Sequence, residues 1–176
     1  MTENRGAAIK GTLHSADGEG VVRVEARCET DIDELWSALT DPQRLARWYG
    51  NVDGDLRVGG EFTAFVYGSE WEGRGRIDLC DPPRHLRVIK SEEGSAEEVV
   101  TAELGVDGDN TTLVIEVRGL PLDKLYAYGA GWQAQVENLV AHLARQDSTD
   151  AGTTWVTRWD ELAPSYREMT VVPLAH

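Results

Sequence analysis

Apolar and polar residues alternate with a period of two along most of the chain, which is the pattern of β-strands with one buried face. The alternation is strong at residues 21–28, 60–67, 71–79, 84–90, 98–106 and 111–118, and weaker at 51–58. The breaks between these segments are rich in turn residues, as in YGSE, CDPP, SEEGS and VDGDN. Because such short connections do not suit crossover helices, they predict an antiparallel meander.

The stretch LWSALTDPQRLARWYG has helical instead of alternating spacing, and it predicts two short helices. The first, over residues 31–39, can be capped by Thr30 or Asp31. The second begins at Pro42, with Asp41 as its cap. Neither helix is long enough to be stable alone in water, so we expect both to lie against a larger element.

A second region of helical spacing follows the strands and predicts one long helix from about Pro121 to Arg145. Gly129 and Gly131 each weaken a helix by about 1 kcal/mol relative to alanine, so an alternative start of the regular helix lies near Gly131. A sheet and a helix that each have one apolar side predict an α+β fold, with the helix across the concave face of the curved sheet. The apolar side of the helix consists of Trp132, Val136, Leu139, Val140 and Leu143.

Both ends of the chain differ from this central pattern. Residues 1–20 are polar with several glycines and are expected to be loosely ordered, with an additional edge strand at 9–13 as an alternative. After the long helix, DSTDAGTT is a predicted linker, and the next segment predicts a helix that Pro164 breaks or kinks. One face of this helix is expected to dock on its own domain, with a dimer partner or closure of the pocket as alternatives. That face consists of Trp155, Trp159, Leu162 and Tyr166.

Composition narrows the possible classes of protein. A length of 176 residues suits one domain with a real core, and a hydrophobic content of 41% is typical of globular proteins. The formal net charge of -14 argues against nucleic acid or an anionic membrane as the main partner. Cys28 and Cys80 are predicted to be buried free thiols, with a single bridge between them as the alternative. Since neither a signal-peptide pattern nor a long apolar run is present, we expect a cytoplasmic protein.

Several stretches together carry a family resemblance: LWSALTDP with LARWYG, then GDLRVGG, PPRHL, and Gly131-Trp132 followed by Leu139, His142 and Leu143. In these stretches the chain resembles the START-like helix-grip superfamily, also called SRPBCC. Within it, the chain resembles the branch of homologues of the heat-shock protein 90 ATPase activator. The resemblance implies a curved antiparallel sheet wrapped around a long C-terminal helix, with two short helices after the first strand. We therefore expect an N-terminal extension at 1–20, a helix-grip domain at 21–146 and a C-terminal extension with a short aromatic helix at 147–176.

The resemblance also implies a cavity between the sheet and the long helix. Alternate strand positions, with aromatic residues of the helices, supply its predicted ligand-binding wall, although a β-bulge would reverse the alternation along a strand. These inward positions hold almost no ionisable side chain. Gly73 and Gly75 leave room that either belongs to a pocket or is filled by Trp71 or Trp132. The predicted wall consists of Trp48, Tyr49, Phe62, Ala64, Val66, Trp71, Gly75, Ile77, Val88, Val100, Ala102, Ile115, Tyr128, Trp132 and Val136.

The sequence contains no pattern typical of a catalytic or metal site. The histidines and cysteines lack metal-ligand spacing, and WEGRGR lacks the lysine and the following helix of a phosphate-binding loop. We therefore assign no catalytic residue, no metal ligand and no cofactor. The titratable side chains near the predicted cavity form no recognisable constellation, and they are Tyr49, Tyr126, Tyr128, His142 and Glu98.

These features favour a non-catalytic binding protein whose partner is a small hydrophobic or aromatic molecule, and neither nucleic acid nor a membrane. Because the superfamily also contains polyketide cyclases, an enzyme of the polyketide cyclase or aromatase type is one alternative. A chaperone-associated or regulatory interaction module, recognised through the acidic surface, is the other. A homodimer remains open in each case.

Overall fold

The computed structural model describes residues 9–91, 97–146 and 150–174. These residues form one sheet and a set of helices that cover it. The elements in chain order are β1 (Ile9–Ala16), β2 (Glu19–Cys28), α1 (Ile32–Thr40), α2 (Pro42–Trp48), β3 (Gly50–Gly54), β4 (Glu61–Val66), β5 (Glu72–Asp81), β6 (His85–Ser91), β7 (Glu98–Asp107), β8 (Asn110–Leu120), a short 3-10 helix (Leu122–Lys124), α3 (Leu125–Leu143), α4 (Ala151–Arg167) and β9 (Val171–Pro173).

The strands form a single sheet in the order β3-β4-β5-β6-β7-β8-β2-β1-β9. Strands β3 to β8 follow one another as an antiparallel meander, which confirms the prediction from the short connections. Strand β2 pairs antiparallel with β8, and β1 continues the sheet beside β2. The predicted α+β fold is confirmed, because the large sheet is curved and unclosed and a long helix follows it.

The two short helices form where the sequence predicts them, because each has a side-chain cap. The Asp31 carboxylate accepts a hydrogen bond from the Glu34 amide at 2.8 Å, and the Asp41 carboxylate accepts one from the Gln43 amide at 2.9 Å. Pro42 occupies the first turn of α2, as expected. The weak strand predicted at 51–58 is shorter in the structure, because after β3 the Gly60 amide donates to the Arg57 carbonyl at 2.8 Å and closes a turn.

The first described residues belong to the sheet. Strand β1 includes the alternative edge strand at 9–13 and extends it to Ala16, with partners on β2 at all of its positions. Its other side pairs in parallel with β9 at Leu13, His14 and Ser15. The expectation of a loosely ordered segment therefore does not hold for residues 9–20, and residues 1–8 lie outside the described part of the chain.

Helix α3 begins at Leu125, so the alternative start near Gly131 is wrong. The two glycines are the places where a second helix comes close. A Cβ atom at Gly129 would lie 2.6 Å from the Tyr166 ring, and one at Gly131 would lie 3.0 Å from the Trp155 ring. Glycine in a helix lowers its stability, and the close packing of α4 on α3 at these two positions compensates for that loss.

Helix α4 docks on α3, which confirms that the aromatic stripe covers its own chain. The Trp155 indole N–H donates to the Gly131 carbonyl at 2.9 Å, and the Trp159 indole N–H donates to the Ala127 carbonyl at 2.9 Å. The Tyr166 hydroxyl donates to Gln133 Oε1 at 2.6 Å. These bonds satisfy the polar atoms of the stripe while its rings are packed.

Pro164 does not break this helix, and that prediction is wrong. A proline there removes the hydrogen bond to the carbonyl of Asp160, and because Asp160 is exposed, this loss falls on the solvent side of the helix. The predicted linker is also shorter than expected. Asp150 caps α4 by accepting from the Thr153 amide at 3.0 Å, while residues 147–149 lie outside the described part of the chain.

The main core lies between α3 and the β8-β2-β1 part of the sheet. Among the described residues, no helix is long and apolar enough to cross a membrane. The most completely buried side chains of this core include Leu13, Val22, Val24, Leu113, Val117, Leu125, Val136 and Leu139.

Candidate ligand cavity

A cavity of about 130 Å³ lies beside the main core, over the strands that the meander places at the other end of the sheet. Its wall is almost entirely apolar. It is formed by Leu39, Thr40, Leu45, Trp48, Tyr49, Val52, Leu56, Phe62, Ala64, Trp71, Ile77, Cys80, Leu86, Val88, Lys90, Val100, Ala102, Ile115 and Trp132.

Strands β4 to β8 supply the floor of the cavity through alternate residues, as a sheet with one inward face requires. On β5 the alternation shifts, because Ile77 pairs with Val88 but Leu79, two residues on, pairs with Arg87. This irregularity brings both Ile77 and Cys80 to the wall, three positions apart. A β-bulge of this kind reverses which side chains of β5 point inward.

The helical pair α1 and α2 supplies most of the roof. Leu39 and Leu45 reach the cavity from these helices, together with Trp48, which is only 4% exposed. The Trp48 indole N–H donates to the Ala38 carbonyl at 3.0 Å, so its polar atom is satisfied inside the protein. Trp48 therefore both packs in the core and lines the cavity, and Tyr49 packs against it with ring centroids 5.4 Å apart.

The long helix contributes less than the family resemblance implied. Trp132 is the α3 residue that reaches the wall. Val136, predicted to line the cavity, is 1% exposed within the main core. The cavity consequently lies between the sheet and the α1–α2 pair, with α3 at one side.

The predicted strand residues reach the wall, except at two positions. Gly75 does not line the cavity, because a Cβ atom there would overlap the Phe62 ring, which fills the space over this glycine. The Trp71 ring in the same way covers Gly73, where a Cβ atom would lie 2.6 Å from it. Val66 is buried but faces an adjacent pocket of about 620 Å³. Tyr128, the remaining predicted residue absent from the wall, also lines that outer pocket.

Lys90 is the most consequential residue that the sequence analysis missed, and it corrects the expectation for ionisable groups on the inward face. It follows the inward residues Leu86 and Val88 at the same spacing, so the alternation itself was the signal. The residue is only 9% exposed. Its Nζ lies 4.3 Å from the centroid of the Trp71 ring and 5.5 Å from that of the Trp132 ring, within cation–π range.

Three of the titratable candidates from the sequence, Tyr49, Glu98 and Tyr128, line the outer pocket of about 620 Å³ together, but they do not meet at the apolar cavity. Tyr49 is on the wall, whereas Glu98 lines only the outer pockets. The Tyr126 hydroxyl accepts a hydrogen bond from Arg167 Nη2 at 2.9 Å, and Arg44 Nε donates to the ring of His142 at 3.1 Å. Within the described residues, no group of three potential metal ligands comes together.

The two cysteines are free thiols in different environments. Cys28 is buried in the main core, and this burial raises the pKa of its thiol to about 11. Cys80 is half-buried on the cavity wall, and burial, followed by the nearby Asp81 carboxylate, also raises its pKa. The alternative of a bridge between them is wrong, because neither sulfur is bonded to another.

Residues 29–144 match the model of the family described as Activator of Hsp90 ATPase homolog 1-like protein. The chain belongs to this family. The matched segment contains α1, α2, the meander and α3, and so includes every residue of the cavity wall. No curated protein matches the chain.

Solved structures show the same fold and confirm the resemblance to the helix-grip superfamily. CalU16 from Micromonospora echinospora is 26% identical with a TM-score of 0.71, over 93% of this chain and 100% of that one. DynU16, a protein in the dynemicin biosynthetic locus, is 26% identical with a TM-score of 0.68, over 78% of this chain and 51% of that one. MLL2253 from Mesorhizobium loti is 26% identical with a TM-score of 0.64, over 73% and 99% of the two chains.

Proposed function

We propose that this protein binds a small hydrophobic or aromatic molecule in the cavity between the sheet and the α1–α2 pair. The observation that carries the proposal is the apolar cavity of about 130 Å³ with aromatic side chains on several sides. Small-molecule sites are typically concave, apolar and preformed, with few polar groups to orient the ligand. Membership of a helix-grip family supports this reading but does not name a ligand.

The volume limits the part of the ligand that enters. An engineered apolar cavity of about 150 Å³ in another protein stays dry and binds benzene. A cavity of about 130 Å³ therefore suits one aromatic ring or a short branched aliphatic group. Trp48, Trp71 and Trp132 offer ring faces or edges to such a group. Larger ligands would extend into the adjacent pocket of about 620 Å³ that Trp71 and Trp132 also line.

The proposal places ligand binding in the helix-grip domain at residues 21–146. Helix α4, in the segment at 147–176, supports that domain by packing on α3. We further propose that the protein acts in the cytoplasm, because its thiols are unpaired and its formal net charge is -14. The acidic surface also supports a small molecule, and neither nucleic acid nor a membrane, as the partner.

The two alternatives from the sequence stay predictions. For an enzyme of the cyclase or aromatase type, the cavity wall offers Tyr49 and Lys90, while Tyr128 lies outside it. For an interaction module, the acidic surface is the supporting feature. A ligand-sized apolar cavity is more directly explained by ligand binding than by either alternative.

The direct test is native mass spectrometry of the gently purified full chain, followed by denaturing analysis of any released molecule. Ala102 is 5% exposed on the cavity wall, and the larger side chain in Ala102→Leu enters the cavity. We expect a stoichiometric adduct in the unaltered protein and its loss in this variant. Thr101→Leu is the matched control, since Thr101 is the next residue on β7 and faces the other side of the sheet.

The control variant should keep the adduct. An adduct that survives Ala102→Leu would place the ligand elsewhere and contradict the proposal. A bare mass for the unaltered protein, even after incubation with excess small aromatic compounds, would also contradict it.

A further inference from the structure

Lys90 is an exception on an otherwise apolar wall. Among the described residues that line the cavity, it is the only lysine, arginine, aspartate or glutamate. Its side chain is almost entirely buried, at 9% exposure, although lysine is among the residues most rarely buried without a partner. Its stem is covered while Nζ keeps contact with solvent, because no fully buried side-chain nitrogen of the described residues lacks a hydrogen-bond partner.

The ammonium group is held by two aromatic faces. Its Nζ lies over the Trp71 ring at 4.3 Å and near the Trp132 ring at 5.5 Å. Among the described residues, no carboxylate forms an ion pair with Nζ. Indole faces stabilise a cation by about 0.5–2 kcal/mol, which is less than an oxyanion provides through a charge-assisted hydrogen bond in the same surroundings.

Glu98 is the acidic residue nearest to Lys90 in the sheet register. The two are direct partners across β6 and β7. Glu98 lines the two outer pockets together with Lys90, but it does not line the apolar cavity. The wall of the apolar cavity contains no acidic side chain among the described residues.

Lys90 and Trp71 lie at the junction between the apolar cavity and the outer pockets. Both line the apolar cavity, and both also line the more polar outer pockets of about 350 and 620 Å³. A ligand with its apolar body in the cavity would end at this junction. A polar head group at the cavity side of this junction would be close to Nζ without entering the outer pockets, which Glu98 lines.

We propose that Lys90 is a specificity-determining residue that selects ligands with an oxyanion, such as a carboxylate, attached to an apolar or aromatic body. This inference rests on the proposed function and names the chemical class of its ligand. The oxyanion accepts a hydrogen bond from the ammonium group, and the two tryptophans hold that group in position.

The net charge of -14 opposes this selectivity only at long range. At physiological ionic strength, exposed charges are screened over about 8 Å, whereas a contact inside the protein is screened much less. The acidic surface slows the approach of an anion, and the local contact with Lys90 determines how tightly it is held.

The test compares two probes of nearly equal shape, benzoate and benzamide, by isothermal titration calorimetry with the full chain. We expect the unaltered protein to bind the carboxylate at least about tenfold more tightly than the amide, as one charge-assisted hydrogen bond provides. Lys90→Met keeps most of the apolar stem and should abolish this preference without weakening the amide. Lys90→Arg keeps the cation and should retain the preference.

Each outcome separates the two proposals. Equal affinity for both probes in the unaltered protein, or a carboxylate preference that persists in Lys90→Met, would overturn the role of Lys90 and leave the proposed function standing. Binding of neither probe would contradict the proposed function and this inference together. Thermal melts of both variants show whether each is folded, and Lys90→Arg decides the question if Lys90→Met is not.

Discussion

The two ends of the sheet present similar apolar faces but are covered in different ways. The filled half, formed by β8, β2 and β1 under α3, holds a continuous core in which residues such as Val22, Val117 and Leu139 are fully buried. The hollow half, formed by β3 to β7 and Ile115 of β8 under the α1–α2 pair, holds a smaller buried cluster of Phe62, Ala64 and Ile77 beside the cavity. The same strand chemistry therefore gives a packed core in one place and a ligand-sized space in the other.

The difference arises from what lies over the strands. Helix α3 packs along β1 and β2 and buries Leu125, Val136 and Leu139 with small residues between them, whereas Trp132 is the part of it that reaches the cavity. In the hollow half, the short side chains of Ala64 and Ala102 leave space above the sheet. The rings of Phe62 and Trp71 lie over Gly75 and Gly73 and do not fill that space. An inward-facing apolar residue is thus evidence of burial, and its covering element decides whether the space above it is filled.

The largest contrast between the halves is expected in stability. Leu139→Ala removes a fully buried side chain from the filled half and should lower the free energy of unfolding by about 2–5 kcal/mol. Leu86→Ala removes a half-buried side chain from the cavity wall, where one side already lacks packed neighbours, and should cost less than about 2 kcal/mol. Urea denaturation followed by circular dichroism measures both changes.

Equal losses for the two variants would break the comparison, because they would mean that the hollow half is packed as tightly as the filled half. Equal denaturant slopes for the variants and the unaltered protein are the control that both unfold from a native-like state.

A smaller contrast is expected in thiol chemistry, since each half contains one cysteine. The thiolate is the reactive form, so a thiol whose pKa is raised reacts slowly below that pKa. Cys28, 2% exposed and with a pKa of about 11, should stay unmodified by iodoacetamide at pH 8 until the protein unfolds. Cys80, half-buried on the cavity wall, should be alkylated in the native protein, and faster as the pH rises.

Peptide mass mapping after timed labelling distinguishes the two sites, with Cys80→Ser as the control for the assignment. A ligand in the cavity should slow the labelling of Cys80 alone. Faster labelling of Cys28 than of Cys80 in the folded protein would reverse the assignment of the two halves.

Much of the fold could be predicted from the sequence, because its signals are local. Alternation fixed the strands of the meander, and the acidic caps Asp31 and Asp41 fixed the short helices. The errors occurred where tertiary packing compensates for a local cost. Gly129 lies in a helix and Tyr166 packs on it, and Pro164 lies in α4, which docks on α3 through its aromatic residues.

The candidate site was predictable in part, for a related reason. Alternation placed residues such as Ala102 and Ile115 on the wall, whereas the bulge that adds Cys80 has no signature in the local pattern. The filling of Gly75 by Phe62 depends on which residues face each other across β4 and β5, and this is a tertiary property. The alternation that places Leu86 and Val88 on the inward face also places Lys90 there, so Lys90 could have been predicted from the sequence.

The central claim is that the hollow half contains a space that accepts an apolar ring, and benzene tests it most directly. We predict that titration of benzene into protein with 13C-labelled methyl groups causes saturable shifts only around the cavity, while the filled half is unchanged. The methyl groups expected to shift belong to Ile77, Val88, Val100 and Ile115, and those expected to stay belong to Leu13, Val22, Leu125 and Leu139. No shift up to the solubility limit of benzene, or equal shifts in both halves, would contradict the account.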